Sequence, residues 1–282
     1  MRDADIIDFR AGQFEQKSGT RHRLARGQNF LVEWIDADAG CAAFPIESGH
    51  EMMVLLPDVS AAIEGGGQNV AASARSVAVV PPGKFSVQLS GSGTCCVLSS
   101  VSEAAPARGA LNAASYAKDD PRVAPIGPGY ERRLGGETIR IYDIDRIEAP
   151  KDNPRLKMLQ SATMSINWVE YQGPRDRAAL SPHSHKDFEQ GSLALAGEFA
   201  HHLRVEWGKN ADLWRDDVHA RVGSPSIMVI PPEVIHTSEG VNAGHHLLID
   251  VFSPPRRDFI AKNWVANASE YAARVPQPAT SS

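Results

Sequence analysis

Short apolar runs of β type, each ended by a turn containing Gly, Pro or Asp, recur along the chain and leave little helical periodicity. This pattern is typical of an all-β sandwich or barrel. It predicts strands at 29–35, 51–56, 59–63, 76–80, 85–89, 94–99 and 137–143, and then at 159–169, 192–195, 201–206, 226–230 and 246–252. The tail at 259–273 is expected to form a short helix or to lie against a barrel.

A local repeat indicates that the β architecture is duplicated. Residues 79–86 (VVPPGKFS) match residues 229–236 (VIPPEVIH), each an apolar strand that runs into Pro-Pro. A pattern that recurs about 150 residues apart favours two copies of one unit. A stretch rich in Ala, Ser, Asp and Pro at 102–121 has the composition of a linker. We therefore expect an N-terminal barrel over 1–125 and a C-terminal barrel over 126–282.

Composition excludes several classes of protein. The net charge is −5, and no basic stripe is present, which argues against a nucleic-acid partner. The beginning of the sequence has no signal-peptide pattern, and the apolar runs are too short to span a bilayer. We expect a cytoplasmic protein that has no membrane partner. Cys41, Cys95 and Cys96 show no disulfide spacing, and are expected to be small buried residues.

Three histidines carry the chemistry that the sequence predicts. His183 and His185 alternate in an extended segment, so their imidazoles point to the same side. His236 follows the second Pro-Pro turn, on a strand that can lie beside them. Imidazole is a ligand for Fe, Mn, Ni, Cu and Zn alike. The pattern predicts a site for one divalent metal ion held by these three side chains.

The same segments resemble the two motifs of the cupin family. Residues 183–197 resemble H-x-H-x(3 or 4)-E-x(6)-G, which ends here at Gly197, and residues 231–236 resemble P-x-G-x-x-H. The resemblance implies an all-β chain with two tandem cupin barrels of the jelly-roll type (double-stranded β-helices). It also implies a metal bound in the second barrel, and a homodimer.

The chain departs from these motifs in both barrels. Counting back from the motif glycine puts Gln190 in the position of the fourth ligand, whereas counting from the histidines allows Glu189. We favour Gln190 as the ligand, which leaves Glu189 as a candidate acid–base catalyst. A neutral ligand leaves the full metal charge to attract an anionic, chelating substrate. In the first barrel Ser86 takes the place of the motif histidine, so that barrel is expected to bind no metal. Glu233 replaces the motif glycine, so its turn must avoid positive φ or accept strain.

Three further residues are candidates for lining a substrate pocket: Trp168, Arg204 and His202. His202 follows His201, and at most one of the two can face the pocket because neighbours on a strand point oppositely. Core packing is the alternative role for Trp168. For Arg204 the alternative is an ion pair with a nearby carboxylate.

A metal-dependent enzyme acting on a small molecule is the function that the resemblance implies. Our first hypothesis is a non-haem Fe(II) dioxygenase that acts on a chelating organic acid or on a hydroxy or keto compound. The alternative is a redox-neutral isomerase, lyase or decarboxylase that uses Mn, Ni or Zn. A third hypothesis is a ligand-binding protein that has two cupin barrels and no catalytic activity.

Overall fold

The computed structural model describes residues 2–101, 109–133 and 136–273 and confirms the all-β prediction. The strands of the first half are β1 (Asp5–Asp8), β2 (Glu15–Lys17), β3 (Thr20–Arg26), β4 (Phe30–Ala37), β5 (Phe44–Ser48), β6 (Met52–Leu56), β7 (Ala61–Gly65), β8 (Gln68–Ala72), β9 (Ser76–Val80), β10 (Gly83–Leu89) and β11 (Gly93–Ser100).

The strands of the second half are β12 (Tyr130–Arg132), β13 (Arg140–Asp143), β14 (Met158–Gln160), β15 (Ser165–Gln172), β16 (Gln190–Ala196), β17 (Glu198–Arg204), β18 (Val218–Gly223), β19 (Ser226–Ile230), β20 (Ile235–Gly240), β21 (His245–Phe252) and β22 (Tyr271–Ala273). The short helix α1 (Arg257–Ala261) overlaps only the start of the tail expected at 259–273, whose end forms β22. Short 3-10 segments span Ala113–Tyr116, Ile144–Arg146, Arg177–Ala179, Ala211–Leu213 and Ala268–Glu270. Within the described ranges, no helix has the length and apolar character needed to cross a membrane.

Each barrel is built from a large and a small sheet. The first barrel has the strand order β13-β9-β6-β11-β4-β3-β2 facing β5-β10-β7-β8. The second barrel has β1-β19-β16-β21-β15-β14 facing β18-β17-β20. All of the pairings between these strands are antiparallel, as expected where strands are joined by short turns.

The sheets exchange strands across the expected division at residue 125. β1 pairs with β19 and extends the large sheet of the second barrel, although it precedes the first. β13 lies beyond residue 125 but pairs with β9 of the first barrel. In both cases the added strand covers an edge that would otherwise expose unpaired backbone groups. Of the expected linker, residues 102–108 lie outside the described residues, and the rest includes a 3-10 segment with buried Tyr116.

The large sheets of the two barrels pack face to face. Strands β6, β9 and β19 are buried at every residue. One face of each strand lines its own barrel, and the other face packs against the neighbouring barrel. The side chains of this inter-barrel core include Phe30, Val32, Trp34, Leu98, Ile166, Trp168, Leu193, Ile227 and Ile249. Neighbouring cysteines show the alternation: Cys95 lies in the first barrel's interior and Cys96 in the inter-barrel core. Both thiols are free and buried, as is Cys41.

Candidate metal centre

Backbone pairing brings the H-x-H segment against the second Pro-Pro turn. The amide of His183 donates to the carbonyl of His236 over 3.1 Å, and the amide of His236 donates back over 2.8 Å. The amide of Glu233 donates to the carbonyl of His185 over 2.6 Å. Two segments that are far apart in sequence are thus held in antiparallel register at the mouth of the second barrel.

The three predicted histidines meet at this mouth. One ring nitrogen from each of His183, His185 and His236 lies within 4.8 Å of the others. The Nδ1 atoms of His183 and His236 each lie 2.9 Å from a backbone carbonyl, that of Ser181 and that of Val234 respectively. These carbonyls accept the Nδ1 protons, so each Nε2 is left with a free lone pair for a metal. His183 is exposed, whereas the other two are buried, so the group opens to solvent on one side.

Burial also keeps two of these imidazoles neutral. It lowers the pKa of His185 to about 3, where a hydrogen bond to Gln190 opposes the shift. Burial, with the neighbouring His183, lowers the pKa of His236 to about 4. Neutral imidazole is the form that binds a metal. The donor set therefore fits a divalent ion at neutral pH.

Gln190 completes the group as the motif spacing favours. Its Oε1 lies 2.8 Å from Nε2 of His185 and 3.2 Å from Nε2 of His236. Its Nε2 donates to Oδ1 of Asp250 over 3.0 Å and to Oγ of Ser192 over 3.1 Å. Because a carboxylate can only accept, this contact fixes the amide so that its oxygen faces the histidines.

Asp250 is a carboxylate beside the histidine group that the sequence reasoning missed. Its carboxylate accepts from Gln190, from Ser192 over 3.4 Å and from the Nδ2 of Asn167 over 3.3 Å. Burial raises its pKa to about 6, although these hydrogen bonds oppose the shift. The sequence did contain a signal, because Asp250 is the single acidic residue inside the apolar run of 245–252. An acidic side chain in such a strand requires hydrogen-bond partners.

Glu189 occupies the opposite face of the strand and does not join the histidines. Its Oε1 accepts from Nη1 of Arg2 over 2.9 Å and from the hydroxyl of Tyr116 over 3.2 Å. Its Oε2 accepts from the amide of Gln28 over 2.5 Å. The carboxylate thus ties the second barrel to the N-terminal segment and the first barrel. The catalytic role considered for Glu189 has no support in this geometry, because the alternation that turns Gln190 inward turns its neighbour outward.

A cavity of about 310 Å³ opens beside His183 and Gln190. Three arginines line it: Arg155, Arg175 and Arg256. Arg256 is held by Asp258 over 2.6 Å and lies over the ring of Phe259. Burial and the charge of Arg155 lower the pKa of Arg175. Asp250 also lines the cavity, but among the described residues neither Arg155 nor Arg175 has a carboxylate partner in an ion pair, so the lining keeps a net positive charge.

None of the three predicted pocket residues faces this cavity. Trp168 is 1% exposed and lies in the inter-barrel core, because Asn167 and Val169 take the inward positions of β15. Arg204 lies on an exposed hairpin, where its Nη2 binds Asp217 over 2.5 Å. Both residues adopt the alternative roles considered for them.

His202 also points outward, and its neighbour His201 points inward. The register between β17 and β20 places Leu203 opposite His236, so the odd-numbered residues of β17 face the barrel interior. His201 is fully buried and bonds to Oγ of Ser238 over 2.7 Å. On the outer face, Nδ1 of His202 lies 2.7 Å from that of His219.

Two positions of the motifs show how the backbone accommodates the site. Gly197 has φ +92°, and a Cβ there would lie 2.6 Å from Cδ2 of His246, so glycine is required. Glu233 has φ +68° and accepts the strain that a left-handed conformation costs a residue with a side chain. Arg122 binds its carboxylate over 3.2 Å and the carbonyl of Pro232 over 3.0 Å, which holds the turn in place.

No family model and no curated protein matches the chain. Solved structures do match. Oxalate decarboxylase OxdC from Bacillus subtilis, as a single-site mutant, has a TM-score of 0.59 and 11% identity over 88% of this chain and 77% of that one. A formate complex of the Lactobacillus farciminis oxalate decarboxylase has a TM-score of 0.55 and 15% identity over 91% and 90%. AerE from Microcystis aeruginosa has a TM-score of 0.56 and 8% identity over 89% and 97%. The chain therefore has the cupin fold of the oxalate decarboxylases, with two β-barrels in tandem.

Proposed function

We propose that the second barrel is a metal-dependent lyase site that acts on a small carboxylate without a net redox change. The observation that carries this proposal is the donor set of three imidazoles and one amide oxygen, next to a cavity lined by arginines. Such a set supplies no negative charge to a bound dication. The site therefore favours an anionic ligand that provides that charge.

His183, His185, His236 and Gln190 are the residues that would hold the ion. A divalent metal bound there supplies Lewis-acid chemistry, which polarises a coordinated carboxylate or carbonyl oxygen. Manganese is our first choice, because Mn(II) centres are described for the Bacillus subtilis oxalate decarboxylase. This replaces the iron expected from the motifs alone.

The arginines orient the substrate and stabilise its charge. Arg175 is half-buried and presents a guanidinium without a carboxylate partner, so it can bind a substrate carboxylate in a charge-assisted hydrogen bond. Arg155 is exposed at the rim and adds to the positive potential at the entrance. Arg256 is held by Asp258 and by an aromatic ring, so it forms a rigid side of the cavity whose charge is largely offset.

The redox-neutral alternative has more support than the dioxygenase that was our first hypothesis. The similar structures include lyases that decarboxylate oxalate, and one of them is a complex with formate. The small cavity and its arginines suit short carboxylates of this kind.

The proposal is tested with metal-free protein that has been reloaded with Mn(II). A panel of short mono- and dicarboxylates, including oxalate and malonate, is assayed for CO₂ release under nitrogen and under air. We expect turnover of at least one acid at the same rate in both atmospheres. Turnover that consumes a stoichiometric amount of O₂ would restore the dioxygenase hypothesis. No turnover of any acid would contradict the lyase.

A matched pair of variants locates the substrate site. Arg175→Gln is expected to raise KM by about tenfold to a hundredfold, the value of a charge-assisted hydrogen bond. Arg177→Gln is the control, because Arg177 is exposed and pairs with Glu239 on the outer face of the small sheet. An equal effect of the two substitutions would refute the role of Arg175.

A further inference from the structure

The mouth of the first barrel contains a cavity of about 510 Å³ that is larger than the one beside the histidines. Its apolar lining consists of Phe14, Leu24, Leu31, Pro45, Ile46, Met52 and Val97. Its polar lining includes His22, Glu33, Ser99 and, at the rim, Glu15, Lys17, Arg23 and Glu47. This volume and this mixture of apolar walls and few polar groups are those of a small-molecule site.

Sheet register shows that this cavity is the counterpart of the candidate metal centre. In the second barrel Gln190 pairs with Ile230, the residue before the Pro-Pro turn. In the first barrel Met52 pairs with Val80, which holds the same place before the first Pro-Pro turn. Met52 therefore takes the position of the amide ligand and replaces a coordinating oxygen with an apolar side chain.

The counterparts of His183 and His236 are apolar as well, whereas Ser48, which pairs with Gly83, holds the place of His185. His236 is the first buried residue of β20 and pairs with His183. Its counterpart is Phe85, which is the first buried residue of β10 and pairs with Ile46. The sequence match that aligns Ser86 with the histidine is therefore displaced by one residue, because β10 begins sooner after its turn. Ser86 itself lies half-buried on the other face.

Three carboxylates are among the polar groups of the cavity: Glu15, Glu33 and Glu47. Glu33 faces it from β4, and its Oε1 lies 2.8 Å from Nδ1 of His22. Lys17 is paired with Glu15 over 2.8 Å. Arg23 is neutralised by Asp36, which does not line the cavity, over 2.9 Å. Glu47 is paired with Lys84, which does not line the cavity, over 3.5 Å. Among the described residues, Glu33 is therefore the carboxylate of the lining that has no Lys or Arg partner, and it lies beside an apolar floor.

From this lining we infer that the first barrel binds a small amphipathic amine. The apolar body of the ligand fills the space among Ile46, Met52 and Val97, and its ammonium or amino group donates to Glu33. The first barrel, which lacks the metal-binding side chains, is then a second ligand site. It prefers a cationic ligand, whereas the second barrel prefers an anionic one. This inference does not depend on the proposed lyase activity.

Fluorescence titration with 1-aminoanthracene, followed by displacement, tests the site. The competitors share one chain and differ in the head group: octylammonium, octanol and octanoate. We expect saturable binding of one probe molecule and displacement in that order of affinity. Equal displacement by octanoate and octylammonium, or no saturable binding of the probe, would overturn the inference.

Three variants place the probe in the first barrel. Leu31→Trp adds bulk from a half-buried position in the lining and should weaken probe binding by at least about tenfold. Glu33→Gln keeps the hydrogen bond to His22 and should reduce the affinity for octylammonium to that for octanol. His236→Ala should leave probe binding unchanged. Binding that is lost in His236→Ala but kept in Leu31→Trp would place the probe in the second barrel and refute the inference.

Discussion

Replacement of Asp250 by Asn tests how the fourth ligand is oriented. Three donors surround this half-buried carboxylate, from Gln190, Ser192 and Asn167. An Asn side chain has one accepting atom, so its amide nitrogen must face a donor, or the Gln190 amide must rotate. Loss of such an orienting contact costs about tenfold to a hundredfold in metal affinity. That is about 1.4–2.7 kcal/mol of binding free energy.

Calorimetric titration of the metal-free protein with Mn(II) measures this change. Asp217→Asn is the matched control. It is the same change of side chain, but Asp217 lies on an exposed hairpin, where it pairs with Arg204. The double variant Gln190→Glu with Asp250→Asn exchanges amide and carboxylate, and should recover much of the lost affinity. If folded Asp250→Asn binds Mn(II) within twofold of the wild type, the orientation argument fails.

Three other substitutions have defined outcomes. Glu189→Gln should lower the free energy of unfolding by about 2–4 kcal/mol, because it weakens a buried ion pair with Arg2. Its Mn(II) affinity should be unchanged. Loss of turnover in a stable Glu189→Gln variant would restore the catalytic role of Glu189. Arg75 lowers the pKa of Glu170 from 4.5 to about 2, so this pair contributes stability above pH 4.5 that is lost as the pH falls towards 2. Urea unfolding at pH 7 and pH 3 should therefore show about 1 kcal/mol less pH dependence in Glu170→Gln, because solvent screens this partly exposed pair. An unchanged difference would refute the pair's contribution. Trp168→Ala should lower the free energy of unfolding by about 3–5 kcal/mol, because it leaves a cavity in the inter-barrel core, and should not change the metal content. Loss of metal in the folded variant would indicate that Trp168 contributes to the site.

The metal-centre residues were predictable because their signal is local. Two histidines at alternate positions and a third after a Pro-Pro turn need no long-range information to be recognised. The spacing to Gly197 also favoured Gln190 over Glu189, and Gln190 is the one of the two whose side chain lies beside the histidines. Strands such as β9 and β19 were predicted with their observed bounds, because they are continuous apolar runs between turn residues.

Features that depend on strand register were not predictable. A choice between His201 and His202 requires knowledge of which residue of β20 lies opposite β17, and a shift of one residue reverses the answer. The single strand expected at 159–169 is in fact the hairpin of β14 and β15. The turn between the two strands was missed because it contains no Gly or Pro. Strand β3 (TRHRLAR) was missed because its charged residues mask the alternation of burial.

Metal content measured by plasma mass spectrometry tests the central claim most directly. The wild type, His236→Ala and the control His219→Ala are each loaded with Mn(II) and dialysed. His219 is a suitable control because it is an exposed histidine on the outer face of the small sheet. We predict about one equivalent of metal in the wild type and in the control, and near-complete loss in His236→Ala. A wild type that retains no metal, or a His236→Ala variant that retains all of it, would contradict the account.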